Sequence, residues 1–319
     1  MALKYTVIGS GAMGLRIGIL LQEHAGVEVD FVDGWEPQVS TIKEQGGAFV
    51  SRDGEGRHLV PVNIYSPEEY KGTPDVFIFF EKQMLLGDML ERCAHFFNDK
   101  QYAVTGMNGM GHIEKLDKYF TPDHIIGGTA LIGTVLNKAG DVDFIGESGA
   151  GSMNFANENE TPDDTTHQIM DDFEKGNMNP NLTTNFQGTL MAKVVFNSVI
   201  NTICTLFEIQ MGQFIDFEGA EKLSKQLINE AYDVCERAGI TLLTTRQEEW
   251  ESVERVSRVT NPLHYPSMYQ DMSKGRNTEV DYINGYIYDL GKQYNYEAST
   301  HDFIRNLVHL AENSRKFNK

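Results

Sequence analysis

Cysteine is scarce in this sequence, and its placement points to no covalent framework. The three residues, Cys93, Cys204 and Cys235, are odd in number and scattered, with no C-x-x-C pair. That excludes a disulfide scaffold and gives no sign of a zinc site. No histidine spacing suggests a metal either, so none is expected. Basic residues are also short: 27 Lys and Arg stand against 46 Asp and Glu, a net charge of −19. This balance argues against nucleic acid or an anionic membrane surface as a partner, and leaves an anionic ligand to be held by local donors. No uncharged apolar stretch reaches the roughly 18 residues of a membrane span. No signal peptide is expected, because the first apolar run is a short strand followed by glycines. The expected place of action is the cytoplasm. Internal repeats and low-complexity tracts are absent as well.

What is present is a globular composition: 319 residues, 40% hydrophobic and 23% charged. At roughly 150 residues per domain, two domains are expected. The apolar run Tyr5–Ile8 leads into Gly9-Ser10-Gly11-Ala12-Met13-Gly14 and then into apolar-periodic sequence through Leu15, Ile19 and Leu20. Strand, glycine turn and helix give a G-x-G-x-x-G motif its meaning. The first glycine allows the tight turn, the second lets backbone approach a pyrophosphate, and the third lets helix and strand pack closely. The phosphates would lie at the helix N-terminus, where unpaired N–H groups favour negative charge. A second apolar run, Val27–Val32, ends at Asp33. An acid at that distance can accept hydrogen bonds from the adenosine ribose 2′-OH, which is free in NAD and phosphorylated in NADP.

The N-terminal half continues to alternate. A helical stretch at 36–44 is followed by a hairpin reading, Ala48–Val50 and His58–Val62 around Asp53-Gly54-Glu55-Gly56. Further strands at 75–80, 102–105 and 125–126, with an amphipathic helix around 85–97, predict a doubly wound parallel sheet of Rossmann type. Segment 131–156 changes character and predicts an antiparallel meander appended to that sheet. From Gly188 onward the period is helical, with a long apolar helix at 190–209 and others near 219–238, 246–258, 267–274, 279–294 and 299–316. The expected division is a dinucleotide-binding domain over 1–184 and an all-helical domain over 185–319.

Three groups of polar residues could carry chemistry. Lys193, Asn197 and Asn201 recur every four residues along the apolar helix, forming one polar stripe. Such a stripe needs partners, since a buried polar group left unpaired costs about 1–3 kcal/mol. A cleft holding a polar substrate would supply them, and so would water at a helix edge. Asn108, in Met107-Asn108-Gly109-Met110-Gly111, follows a strand of the sheet, where doubly wound folds bind ligands, although Asn-Gly also makes ordinary turns. In the third group, Ser267 can cap a helix. Thr278 with Asp281 fits a capping box that makes Glu279 a first helical residue.

Asn108-Gly109-Met110-Gly111, Lys193 with Asn197 and Asn201, and Ser267 with Glu279 in Thr-Glu-Val-Asp-Tyr-Ile-Asn-Gly together resemble the ketopantoate reductase family over essentially the whole chain. The resemblance implies that Lys193 is the general acid protonating a ketone oxygen as a nicotinamide delivers hydride, with Glu279 orienting and tuning it. It further implies that Asn108, Asn197, Asn201 and Ser267 hold a 2-keto acid, and that Lys82 lies near the cofactor, as does Asn108. It also implies a homodimer through the helical half.

One departure bears on the cofactor. Family members mostly use NADPH, with a basic or small polar residue after the second strand. This chain has Asp33-Gly34-Trp35-Glu36-Pro37 and no basic residue until Lys43. A carboxylate repels a 2′-phosphate, so NADH is expected over NADPH. The chain therefore resembles most the family's NAD-dependent D-2-hydroxyacid and D-mandelate dehydrogenase branch. That branch interconverts 2-keto acids and D-2-hydroxy acids with bulky apolar or branched side chains. The alternative is reduction of ketopantoate to D-pantoate. Met107, Met110, Phe196, Tyr265, Met268 and Tyr269 would suit an apolar substrate tail, or equally a packed core.

Overall fold

In a computed structural model describing residues 2–149 and 151–317, the chain forms two compact units. The first comprises the residues up to Met107 together with His112–Phe186, and the second Asn108–Gly111 together with the residues from Gln187 onward.

The first unit opens with β1 (Lys4–Ile8), α1 (Ala12–Leu20), β2 (Glu28–Val32) and α2 (Glu36–Gln45). The hairpin β3 (Ala48–Arg52) and β4 (Glu55–Val60) precedes β5 (Asn63–Tyr65), β6 (Val76–Phe79), α3 (Gln83–Cys93) and β7 (Tyr102–Thr105). Beyond the short α4 (Ile113–Leu116) come β8 (Ile125–Leu131), β9 (Thr134–Lys138), β10 (Asp141–Phe144) and β11 (Ser152–Asn157). The unit closes with α5 (Asp164–Lys175) and β12 (Pro180–Thr183).

Eight of these strands make one sheet in the order β12-β11-β8-β7-β6-β1-β2-β5. From β8 to β5 every pairing is parallel. The central strands read as continuous apolar runs because helices cover both faces; Val76–Phe79 is buried throughout. The antiparallel segment is present but divided between two sheets. β8 and β11 pair antiparallel within the large sheet, whereas β9 and β10 leave it. β10 lies parallel to β3, so the two hairpins merge into a second sheet, β4-β3-β10-β9. The helix α5 and the edge strand β12 were not anticipated, although α5 carries a helical signature, with Asp163 as its N-cap and Ile169, Met170 and Phe173 buried on one face.

Helix α1 packs on both sides, which explains why it is apolar nearly all round. Gly14 and Gly18 let it lie against the large sheet: a Cβ at Gly18 would stand 2.4 Å from the Phe31 ring. On another side Met13 accepts a hydrogen bond from Thr134 Oγ1 at 3.5 Å. There too the buried Arg16 donates to the carbonyls of Gly133 and Ile145, at 2.5 and 3.2 Å. Phe31 is fully buried and cannot swing aside. Gly18→Ala should therefore cost about 1–3 kcal/mol of overpacking, partly offset by about 1 kcal/mol of helix propensity. The expected result is a melting temperature lower by a few degrees; an unchanged one would mean that sheet and helix separate freely.

The second unit is helical: α6 (Phe186–Phe207), α7 (Met211–Ile215), α8 (Ala220–Ala238), α9 (Arg246–Arg255), α10 (Ser267–Ser273), α11 (Asn284–Gln293) and α12 (Ser299–Phe317). α6 is long and apolar enough to cross a membrane, but 72% of its apolar window is buried inside the protein, as befits a core helix. Its ends lie a few residues before those the pattern predicts. The stretch predicted as one helix over 279–294 is a single 3₁₀ turn, Val280–Tyr282, followed by α11.

Candidate active site

The glycine turn has the geometry its sequence requires. Gly9 adopts φ +91°, a conformation that L side chains rarely reach, and its N–H donates to the Val32 carbonyl at 2.9 Å. A Cβ at Gly14 would lie 1.9 Å from the Gly9 carbonyl oxygen, so the third glycine is demanded by packing. At Gly11 an added Cβ would meet nothing within 4 Å. The protein itself does not need that glycine, and the space above it suits a close-lying phosphate. Gly11 is the N-cap of α1, and no side chain caps the helix, so the first-turn N–H groups of Ala12 and Met13 face this opening. The residues present thus fit a dinucleotide pyrophosphate.

Asp33 is 6% exposed and well occupied. Its Oδ2 accepts from the Ser10 backbone N–H at 2.6 Å and from Ser10 Oγ at 2.7 Å. Its Oδ1 accepts from the Trp35 N–H at 2.7 Å. One carboxylate therefore ties the glycine turn to the turn after β2, while keeping a negative charge where the ribose would lie. Beyond it stands a cation that linear reading missed. A Cβ at Gly34 would come within 2.8 Å of Arg92 Nη1 and 2.9 Å of Met89 Cε, both from α3. Arg92 is already paired with Glu68, through Nε–Oε1 at 2.8 Å and Nη2–Oε2 at 3.2 Å. That bond pulls the Glu68 carboxyl down to about 2. Lys82 is the N-cap residue of α3, half-buried at the carboxyl end of β6, and its N–H donates to Glu81 Oε1 at 2.9 Å.

In the second unit, Lys193, Asn197 and Asn201 all lie on α6. Burial pushes the Lys193 ammonium down to about 8, and the charge of Glu279 works in the opposite direction. A lysine that titrates near neutrality beside a carboxylate can both give and take a proton. Glu279 is 6% exposed. Its surroundings correct the capping-box expectation. Asp281 instead accepts from Arg305 Nε at 2.5 Å and bonds His309 at 3.0 Å. The Thr278 N–H donates to Glu312 Oε1 at 2.6 Å. Glu279 precedes the 3₁₀ turn rather than opening an α-helix, so the helix dipole does not account for it.

Asn197 and Asn201 are 7% and 5% exposed. Neither amide hydrogen-bonds another described residue or is sealed from solvent, which leaves both available to a polar ligand. Ser267 is corrected in the same way: Pro266 is the N-cap of α10, and Ser267 is its first residue, half-buried, with its hydroxyl unused for capping. One turn along, Asp271 is 3% exposed and ion-paired with Arg276 at 2.6 Å, a buried carboxylate the sequence reading passed over. Asn108 opens a segment that packs on this unit. The Met110 N–H donates to the Tyr282 carbonyl at 2.8 Å, and Gly109, at φ +79°, passes too close to Tyr282 for a side chain. The Asn108 turn and the turn after Glu279 are thereby locked together.

Of the six apolar candidates, Met107, Met110 and Met268 are core residues, at most 5% exposed. Phe196, Tyr265 and Tyr269 keep exposed surface, and the two tyrosines stack with centroids 4.5 Å apart. Phe196 follows Lys193 by three positions and so shares its helix face.

Comparison with known proteins gives a consistent picture. A family model described as ketopantoate reductase PanE/ApbA matches residues 5–158, and its C-terminal counterpart matches 185–312. The chain is 29% identical to a 2-dehydropantoate 2-reductase of Lactococcus lactis subsp. lactis, covering 97% of this chain and 98% of that one. A 2-dehydropantoate 2-reductase of Aquifex aeolicus is 25% identical over 98% of each chain. Among solved structures, D-mandelate dehydrogenase with NADH and anilino(oxo)acetate matches with a TM-score of 0.91 and 29% identity, over 98% of this chain and 99% of that one.

Proposed function

This chain belongs to the ketopantoate reductase family of oxidoreductases, and from that premise we propose that it interconverts a 2-keto acid and its D-2-hydroxy acid with NAD(H). The observation that carries this reading is Lys193, its ammonium lowered to about 8 by burial and facing the charge of Glu279. When bound, the nicotinamide supplies the hydride that adds to C2 of the keto acid. As negative charge builds on the carbonyl oxygen, the Lys193 ammonium stabilises it and gives up a proton. Glu279 holds that ammonium in place and favours its charged form. Asn108, Asn197, Asn201 and Ser267 donate hydrogen bonds to the carboxylate and oxygens of the keto acid. Ala12, Met13 and the three glycines receive the pyrophosphate, with Ser10 and Asp33 bracing that turn and Lys82 nearby.

The structural match to an NADH complex supports NAD(H), as does the negative charge of Asp33. A bulky apolar side chain on the substrate is supported by the exposed faces of Phe196, Tyr265 and Tyr269. Three free, buried cysteines support a reducing compartment and hence the cytoplasm. Phe303 and Leu310, exposed one heptad apart on α12, support a homodimer.

A second reading, reduction of ketopantoate to D-pantoate, is favoured by the names of the sequence relatives. NADH oxidation by the purified protein with phenylglyoxylate and with ketopantoate, side by side, separates the two. Faster turnover of phenylglyoxylate is expected. Faster turnover of ketopantoate would move the chain to the second reading, and turnover of neither would overturn the 2-keto acid assignment.

A further inference from the structure

Asn284 is a buried polar residue that the chemistry above leaves unused. It opens α11, five residues after Glu279, and is fully buried together with Ser198 of α6 and His301 of α12. Its amide joins these helices. Nδ2 lies 3.1 Å from the Ser198 carbonyl oxygen and 3.3 Å from His301 Nδ1. The other ring nitrogen, His301 Nε2, lies 3.0 Å from the Leu227 carbonyl oxygen of α8. A carbonyl can only accept, so Nε2 carries the proton and Nδ1 is an acceptor. Both N–H bonds of the Asn284 amide are thereby committed as donors. Burial pushes the His301 imidazole down to about 4, which keeps it neutral and this tautomer fixed. Its backbone is also anchored: Glu230 of α8 accepts from the Thr300 and His301 N–H groups at 2.9 and 3.3 Å, at the start of α12.

The other half of the amide argues for a role beyond packing. Asn284 Oδ1 is buried, and no described residue donates to it. An unused buried acceptor is destabilising, so stability alone does not favour asparagine here. What the residue accomplishes is a tie between two segments of the candidate site. Ser198 lies next to Asn197 on the helix that carries Lys193, and its carbonyl also accepts from Thr202 Oγ1 at 2.7 Å. Upstream of Asn284, the segment bearing Glu279 is held to α12 through Thr278 and Asp281. Asn284 adds a bond that fastens the same segment to α6. We propose that Asn284, oriented by His301, is a positioning residue that holds the Glu279 turn against α6, so that this carboxylate stays aligned on the Lys193 ammonium. This rests on the lysine mechanism proposed above and adds to it the part of the protein that sets its geometry.

Asn284→Leu nearly preserves the side-chain shape while removing both donors and the unpaired oxygen, so a folded variant is expected. Its turnover of the preferred keto acid should fall by on the order of 10²-fold, the effect of an ångström-scale misplacement, with NADH affinity as in the parent. The pH at which reduction is half-maximal should move down, the direction in which losing the Glu279 charge moves it. Asp281, Arg305, His309 and Glu312, the charged groups bonded to that segment, are present in every variant and so do not account for the shift. Adding Asn284→Leu to Glu279→Gln should cost almost nothing more, because Asn284 acts through that carboxylate. His301→Gln still offers an acceptor to Asn284 and a donor to the Leu227 carbonyl, and should keep most of the turnover. His301→Leu offers neither; it should behave as Asn284→Leu does, and carries the test if that variant does not fold. Parental turnover with an unmoved midpoint in the leucine variants would overturn the positioning role, even with a lower melting temperature. Fully multiplicative losses in the double variant would overturn it too. A parent that turns over no keto acid, or whose reductive rate is flat across pH 8, would instead overturn the lysine mechanism on which the role rests.

Discussion

Lys193→Ala should lower turnover of the preferred keto acid by about 10²- to 10⁴-fold, the usual contribution of a positioned general acid. NADH binding should be unchanged, because Lys193 belongs to the helical unit and the glycine turn to the other. The pH dependence gives the same residue a second test. On the proposed mechanism reduction uses the ammonium, so its rate should fall as pH rises through about 8, where burial has brought this lysine. On the same mechanism oxidation of the hydroxy acid uses the neutral amine, so its rate should rise over the same interval. Glu279 opposes the effect of burial on Lys193. Glu279→Gln should therefore move both midpoints to lower pH, and Glu279→Asp should bring them partly back. A reductive rate that stays flat past pH 9, or a Lys193→Ala variant with parental turnover, would remove this lysine from the chemistry.

The parts of the molecule written locally were legible in the sequence, and those made by distant pairing were not. Val76–Phe79 reads as a buried strand because a parallel sheet covered on both faces selects unbroken apolar runs, as does Tyr5–Ile8 with Thr6 as its one polar residue, whereas Val27–Val32 alternates, with Glu28 exposed and Asp30 half-buried. α8, α9, α10 and α12 followed from their 3.6-residue period. The Lys193, Asn197 and Asn201 stripe was visible for the same reason. The partnership of β10 with β3 joins residues about ninety positions apart, and no local signal specifies it. Glu279 illustrates a different limit. A Thr and an Asp three residues apart satisfy a capping box on paper, yet Arg305, His309 and Glu312 claim those groups in the fold. Ser10 and Asp33 were each visible as parts of a cofactor motif. That they bond to one another could be read only from the folded turn.

Arg92 is the part of the site that alters an expectation most. Asp33→Asn should shift the ratio of NADH to NADPH catalytic efficiencies toward NADPH by at least about tenfold. Two unit charges 4 Å apart near a protein surface interact by about 4 kcal/mol, and a 2′-phosphate brings nearly two charges toward the carboxylate. The variant should also bind both cofactors less well. Asn keeps an oxygen for the Trp35 N–H, but turns an amide donor toward the Ser10 N–H that Asp33 now accepts. Only the ratio therefore reports specificity. The sequence after β2 offers no cation, but the fold brings Arg92 against Gly34, with its charge offset by Glu68 at 2.8 Å and Asp88 at 3.8 Å. Adding Glu68→Gln to Asp33→Asn should release that guanidinium and raise NADPH efficiency further, with little change for NADH. Arg92→Ala in the double variant should then abolish the added gain. An unchanged cofactor ratio in Asp33→Asn would detach specificity from this carboxylate. A gain in the double variant that survives the loss of Arg92 would show that the guanidinium is held too firmly, or too far away, to reach a 2′-phosphate.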